Sequence, residues 1–239
     1  MTEKLYLKDA YLKEADVKLV KSDGNLVVLS GTVFYPGGGG QPFDTGTLLI
    51  GGIAYNVIEM RKSGEDIVHV LDKSVNAQPG ADVHCAIDWQ KRYAYMRYHT
   101  ALHVIDGVIT KNYRQDVTAT SSQIYFDRAR LGFDMPELNR DLAAKIVAEA
   151  DKVAKEGHKV TAKEIPREEA LKIENLARTE PGKKLIESLD LVRIVEIDGI
   201  DMQADGGTHV ANTSEIGSMS LLKFDNKGSH DKSIEIRLE

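Results

Sequence analysis

Tyr98-His99-Thr100-Ala101-Leu102-His103 lies inside a stretch, Ile87 to about Tyr113, that contains no proline and one glycine, Gly107. Trp89, Tyr93, Met96, Leu102, Ile105 and Ile109 recur close to the helical period, and Asp88 is a fair N-cap. The stretch therefore predicts a long helix. His99 and His103 stand four apart on it, hence on one face, where two imidazoles can grip one ion. Histidines at that spacing also occur as ordinary helix-surface residues, so the pair alone leaves both readings open. His69, His84, His158 and His230 show no paired spacing and read as solvated or hydrogen-bonded side chains.

Working outward from the helix, Asp205-Gly206-Gly207-Thr208-His209 changes the balance. Two consecutive glycines make a turn whose backbone can approach something closely. A third histidine on such a turn would complete a three-histidine site with an open position for water, the layout of a catalytic rather than a structural zinc. The competing reading is a plain loop between strands, since Leu191 to Ile197 alternates like a strand.

The chain divides near Asp88. Before it, short strand-like runs (Asp16 to Val20, Leu26 to Leu29, Gly46 to Ile50, Ile53 to Met60, Asp66 to Leu71) alternate with glycine-marked turns, and Val83-Cys85-Ile87 alternates likewise. This pattern predicts a small β-barrel over residues 1–88. After Asp88 come a strand from Thr118 to Asp127 and an amphipathic helix from about Pro136 to Lys155 carrying Leu138, Leu142, Ile146 and Val153. A shorter helix is expected from Arg167 to Ala177. Strands are expected at Leu191 to Ile197, Ile216 to Phe224 and Ser233 to Leu238. Helices and antiparallel strands that do not alternate as βαβ units indicate an α+β fold, with residues 89–239 forming a two-layer domain of helices on an antiparallel sheet.

Composition narrows the function classes. The 239 residues include one cysteine, Cys85, so no intrachain disulfide is possible, and its expected role is strand packing. No segment approaches the ~20 apolar residues needed to span a bilayer, and a cytoplasmic protein, monomer or weak dimer, is the economical expectation. The tetraglycine Gly37 to Gly40 lacks a following Lys-Ser or Lys-Thr and opens no GxGxxG helix, so it is neither a P-loop nor a dinucleotide fingerprint. It reads either as a flexible hairpin or as a bare-backbone loop, anchored by Pro36 and Pro42, that can approach a ligand.

Taken together, these segments resemble the editing domain of alanyl-tRNA synthetases and the free-standing alanyl-tRNA editing proteins of the AlaX family. The resemblance rests on Thr32-Val33-Phe34-Tyr35-Pro36-Gly37-Gly38-Gly39-Gly40-Gln41-Pro42 followed by Asp44 and Gly46, and on His99-Thr100-Ala101-Leu102-His103. It rests also on Thr120-Ser121-Ser122 leading to Phe126, on Gly206-Gly207-Thr208-His209-Val210 with Thr213, Glu215, Ile216 and Gly217, and on Lys227-Gly228 leading into the last strand. It implies His99, His103 and His209 as catalytic metal ligands and one Zn²⁺ per chain. Many members have cysteine where this chain has Asp205; a carboxylate is an acceptable zinc donor, so either Asp205 ligates through oxygen as the fourth ligand, or the metal has three histidines and more water.

The implied reaction is hydrolysis of the ester joining a wrong amino acid, serine and also glycine, to the acceptor end of tRNA(Ala). A pocket for alanine gains only ~1–3 kcal/mol of discrimination per carbon, which leaves errors for a second site to clear. Serine is larger than alanine, so that second site must reject alanine through a polar partner left unpaired. Thr32 is the first candidate and Gln41 the second. Gly37, Gly38, Gly39, Gly40 and Thr208 complete the expected substrate contacts, and by the resemblance the glycine loop faces the pocket from the barrel. The objection is charge: 31 Lys+Arg against 37 Asp+Glu gives net −6, whereas nucleic-acid affinity comes largely from neutralised phosphates. Local basic groups are Lys91-Arg92 with Arg97, Lys111 with Arg114, Arg128 with Arg130, and Lys183-Lys184. Two other functions stay open at this level: a tRNA-binding module without hydrolysis, and a metal-dependent hydrolase of small esters or amides.

Overall fold

The computed structural model describes residues 1–177, 180–228 and 230–239. The chain separates into two compact units, Met1–Ala94 and Tyr95–Glu239. The division thus falls a few residues after Asp88, inside the predicted helix.

In the first unit, β1 (Glu3–Lys4), α1 (Leu5–Lys8), β2 (Glu14–Asp23), β3 (Leu26–Leu29) and β4 (Gly31–Thr32) are followed by β5 (Gly46–Ile50), β6 (Ile53–Ser63), β7 (Asp66–Leu71) and β8 (Asp82–Ile87). Six of these close a barrel in the order β2-β3-β7-β6-β5-β8, which removes the sheet edges of those six strands, while β1 and β4 form a separate two-stranded parallel sheet. Alternation supplies the core: Leu19, Val27, Leu29, Leu48, Ile50, Val83 and Cys85 point inward. In β6 the register shifts between Val57 and Glu59, which is why Val57 and Met60, three apart, are both buried. Gly46 pairs with Ile87, and a Cβ there would lie 2.2 Å from the Ala86 carbonyl oxygen, so only glycine permits this strand contact.

The second unit begins within α2 (Trp89–Asn112) and continues through β9 (Thr118–Ile124), β10 (Ala129–Asp134), α3 (Arg140–Lys155), β11 (Val160–Pro166), α4 (Arg167–Ala170), α5 (Glu180–Ser188), β12 (Leu191–Ile197), β13 (Asp201–Ala204), β14 (Met219–Asn226) and β15 (Lys232–Leu238). It is α+β, with two antiparallel sheets rather than one: β14-β15-β10-β9, and β11-β12-β13. Helix α3 packs on β14 through Ala143, Ile146, Val147, Ala150 and Ala154. It starts at Arg140 rather than Pro136 because Asn139 is the N-cap, its side chain accepting the Leu142 N–H at 3.0 Å. The helix expected from Arg167 to Ala177 ends at Ala170, and Asn175 turns into the left-handed region at φ 57°. The strand expected from Ile216 begins at Met219, since Thr213–Ile216 is a 3₁₀ turn closed by an Asn212–Glu215 capping box. Among the described residues no helix is long and apolar enough to cross a membrane.

Candidate metal centre

Helix α2 is buried on all sides from Met96 to Ile109, apart from intermediate exposure at Arg97, so it is a core helix rather than a surface one. His99 and His103 are 4 % and 7 % exposed, which removes the helix-surface reading of the pair. His209, 6 % exposed, reaches the same place from the loop after β13. The ring centroids lie 5.2 Å (His99 to His103), 4.3 Å (His99 to His209) and 4.8 Å (His103 to His209) apart. One donor atom from each histidine and one Asp205 oxygen all fall within 4.8 Å of one another.

The loop that carries Asp205 and His209 is held by side chains that bond its backbone groups. Arg193 on β12 donates to the Asp205 carbonyl (2.8 Å) and to the Gly207 carbonyl (3.0 Å). Asp205 Oδ2 accepts the Gly207 N–H at 2.8 Å, an Asx turn that fixes the carboxylate. The same oxygen lies 2.9 Å from His209 Nε2, and Oδ1 lies 3.7 Å from His99 Nε2. Thr208, between the glycines and His209, is fully buried.

Electrostatics sort the four groups. Burial pushes His209 down to about 4 despite the Asp205 hydrogen bond. Burial likewise holds His99 well below the ordinary imidazole range, aided by the neighbouring rings and opposed by Asp205. For His103 burial also acts downward, but the hydrogen bond and charge of Asp201, with Asp205 and Asp106, outweigh it and raise the imidazole. Asp205 stays ionised: burial alone would raise it, and the surrounding histidines bring it well below the usual carboxylate range. Two neutral imidazoles, a third paired with an anion, and a carboxylate form a donor set suited to a borderline cation such as zinc, which binds N and O donors at about 2.0–2.2 Å. The fit lies in that donor set and in its convergence.

Four contributors carried no signal by spacing: Arg193, Asp201, Thr100, whose Oγ1 lies 3.1 Å from His209 Nδ1, and Gln203, whose amide donates to Asp201 at 2.9 Å. Alternation along β13 would have put Asp201 and Gln203 on one strand face, but β13 itself was not anticipated.

The other candidates lie in the first unit. Thr32 is fully buried; its Oγ1 accepts the Phe34 N–H at 3.1 Å and pairs with His69 Nε2 at 2.8 Å. All four glycines of the tetraglycine have positive φ, between 58° and 139°. Gly38 and Gln41 exchange two backbone hydrogen bonds (3.1 and 3.0 Å), so the loop is a tight hairpin that L-residues would strain. Gln41 is 3 % exposed.

The basic groups are largely engaged in structure. Arg92 is wholly buried against Asp44. Arg97 donates to the Ile216 and Glu239 carbonyls, and Lys111 to the Gly199 carbonyl. Arg114 pairs with Asp116 and Glu137, and Arg128 with Asp127 and Glu235. Arg130 donates to Ser233 Oγ. A basic group in sequence does not become a phosphate-facing patch where the fold supplies acids and carbonyls to its members.

Comparison with known proteins gives two family matches. The threonyl and alanyl tRNA synthetase second additional domain matches residues 192–237, and the tRNA synthetases class II (A) domain matches residues 5–91. The chain is 38 % identical to the alanyl-tRNA editing protein AlaX-M of Saccharolobus solfataricus over 98 % of both chains. It is 39 % identical to AlaX-M of Methanosarcina barkeri over 100 % of this chain and 99 % of that one. It is also 36 % identical to the alanine–tRNA ligase of Ignicoccus hospitalis, over 92 % of this chain and 24 % of the ligase.

Proposed function

The chain belongs to the AlaX-M family of alanyl-tRNA editing proteins, and from that membership we propose that it deacylates mischarged tRNA(Ala), Ser-tRNA(Ala) first and Gly-tRNA(Ala) second, as a free-standing zinc-dependent hydrolase. The observation that carries the proposal is the convergence of His99, His103, His209 and Asp205 at one buried point of the second unit. In the reaction a water oxygen adds to the ester carbonyl carbon and the bond to the ribose oxygen breaks. The products are the free amino acid and a tRNA with its terminal hydroxyl restored.

His99, His103, His209 and Asp205 would hold the zinc, which supplies Lewis acidity to the ester or to the attacking water. The chain's own groups prepare that site. Low burial-depressed basicity keeps His99 and His209 unprotonated at neutral pH, so their lone pairs need no proton release. The Asp205 anion offsets part of the ion's charge, and Arg193 keeps the loop in register. For selectivity, Thr32 is proposed as the hydroxyl reader, its side chain already fixed by His69 and the Phe34 N–H, with Gln41 as the alternative. Gly37 to Gly40 and Thr208 are proposed to border the aminoacyl end.

The test is deacylation of Ser-, Gly- and Ala-charged tRNA(Ala), before and after chelation, with elemental analysis of the same preparation. Close to one zinc per chain, rapid loss of Ser-tRNA(Ala), sparing of Ala-tRNA(Ala) and inactivation by chelator are expected. His103→Ala should lose both metal and activity. Metal-free protein that hydrolyses at full rate, or protein that takes up zinc but leaves all three esters intact, would overturn the proposal.

A further inference from the structure

Behind the donor cluster, two of the three imidazoles are gripped at their far ring nitrogens. His209 Nδ1 lies 3.1 Å from Thr100 Oγ1, and His103 Nδ1 lies 2.9 Å from Asp201 Oδ2. Both partners are buried, at 0 % and 7 % exposure, in the same unit as the rings they hold.

Thr100 has a determinate polarity. A hydroxyl offers one proton and two acceptor positions. Thr100 gives its proton to the Met96 carbonyl at 3.0 Å, one turn back along α2, and accepts the Val210 N–H at 3.2 Å. At the other end of the same ring the Asp205 carboxylate lies 2.9 Å from Nε2 and can only accept, so the contact with Thr100 holds the His209 ring without leaving Nε2 bare in the metal-free chain.

At His103 the Asp201 contact decides the polarity. A carboxylate only accepts, so His103 Nδ1 is the protonated nitrogen and Nε2 is left as the donor to an ion. The carboxylate is held in turn: the Gln203 amide nitrogen donates to Asp201 Oδ2 at 2.9 Å and to Asp106 Oδ2 at 2.7 Å. Asp106 lies on α2 itself, so β13 is tied back to the helix that carries the histidines. Gly107 makes the approach possible. A Cβ at that position would lie 2.7 Å from the Ile200 carbonyl oxygen and 3.2 Å from Asp201 Cβ. The single glycine of the helix stands where the turn before β13 presses on it.

We propose that Asp201 is a positioning residue that fixes the tautomer and ring orientation of His103, leaving Nε2 of that ring free as an ion donor. Partners of this kind commonly change metal affinity 10–100-fold when lost, because an unheld ring must be reoriented and its proton moved before it can ligate. The inference rests on the zinc reading above for its purpose, but the tautomer is a property of the metal-free chain and is measured there.

The experiment uses the full chain labelled with ¹⁵N-histidine and stripped of metal, at a pH where the rings are neutral. Two-bond proton–nitrogen correlation then reports which nitrogen of each ring carries hydrogen. Nδ1–H is expected for His103, the reverse of the form that free histidine prefers. Asp201→Leu should return His103 to the Nε2–H form and lower zinc affinity about 10–100-fold in chelator competition, while Asp201→Asn, which keeps an acceptor oxygen, should stay near the parent. The tautomer of the parent decides the inference even if Asp201→Leu fails to fold. An Nε2–H His103 in the parent, or a folded Asp201→Leu protein with tautomer and affinity unchanged, would overturn it. An Nδ1–H His103 in a chain that takes up no zinc would support it and sink the zinc reading instead.

Discussion

Replacing Arg92 by methionine should destabilise the first unit far more than loss of a surface arginine would. Arg92 is 0 % exposed and its partner Asp44 1 %. Its Nε donates to both Asp44 oxygens (3.0 and 2.9 Å), Nη1 to the Ala10 carbonyl (3.0 Å), and Nη2 to the Val33 carbonyl (2.6 Å) and to Asp44. One side chain thus ties together the segment after α1, the strand entering the glycine loop and the residue just past it. Methionine matches the length but donates nothing. Asp44 would keep only the Tyr35 N–H (2.6 Å), and two carbonyls would lose their donor. Removing one member of a buried ion pair costs about 3–5 kcal/mol, mostly from the charge left behind.

The pH dependence has a definite sign. Burial already pushes the Asp44 carboxyl above its ordinary range against Arg92 and the Tyr35 N–H, and without the guanidinium it goes higher. The folded variant then binds a proton that the unfolded chain releases, so its stability falls as pH rises above about 4. The cost of the substitution should be smaller at pH 4.5 than at pH 7. Trp89 is the only tryptophan and lies in the first unit, so its fluorescence during urea unfolding reports on the right transition. Asp44→Asn retains an acceptor for Tyr35, and the double variant should cost less than the sum of the single ones. A cost below about 1 kcal/mol, strict additivity or a pH-independent loss would refute the reasoning, since a solvated pair behaves in that way.

Further outcomes follow from the same contacts. Asp205→Ala should weaken zinc retention and Asp205→Cys should preserve or tighten it, because thiolate is the softer donor; equal retention in all three proteins would exclude Asp205 as a ligand. Thr32→Val should cut Ser-over-Ala discrimination by about 1–3 kcal/mol and also lower stability, since His69 Nε2 and the Phe34 N–H lose their buried partner, whereas Thr32→Ser should keep both. Undiminished selectivity in a folded Thr32→Val protein would move the reader to Gln41. Burial brings His69 down to about 4, so the unfolded chain takes up a proton near 6.5 that the folded barrel refuses. Stability is therefore undiminished above pH 6.5 and drops, by roughly 3 kcal/mol, as pH falls toward 4. His69→Gln should flatten that decline, and an identical pH profile would show that the imidazole is not neutral inside the barrel.

Local pattern was enough for much of this molecule. Alternation with glycine-marked turns announced the barrel strands, and helical spacing announced α2 and the shared face of His99 and His103, because both depend only on neighbours a few residues away. Spacing failed where the deciding contact was distant. Val160–Pro166 reads Thr-Ala-Lys-Glu in its middle and gives no apolar signal, yet it is a strand because β12 offers it an edge. Spacing left His99 and His103 open as helix-surface residues, but the protein surrounds α2 from Met96 to Ile109, which turns them into buried donors. Arg92 looked like part of a basic cluster, and only the fold brings Asp44, 48 residues earlier, against it. Asp201 meets His103 across 98 residues, and nothing local to either marks the meeting. The sequence by itself determined which side chains could serve as donors and on which local elements they ride. The tertiary structure alone decided which of those groups lose water and find each other, because desolvation and close approach are properties of the packed chain and not of any short segment of it.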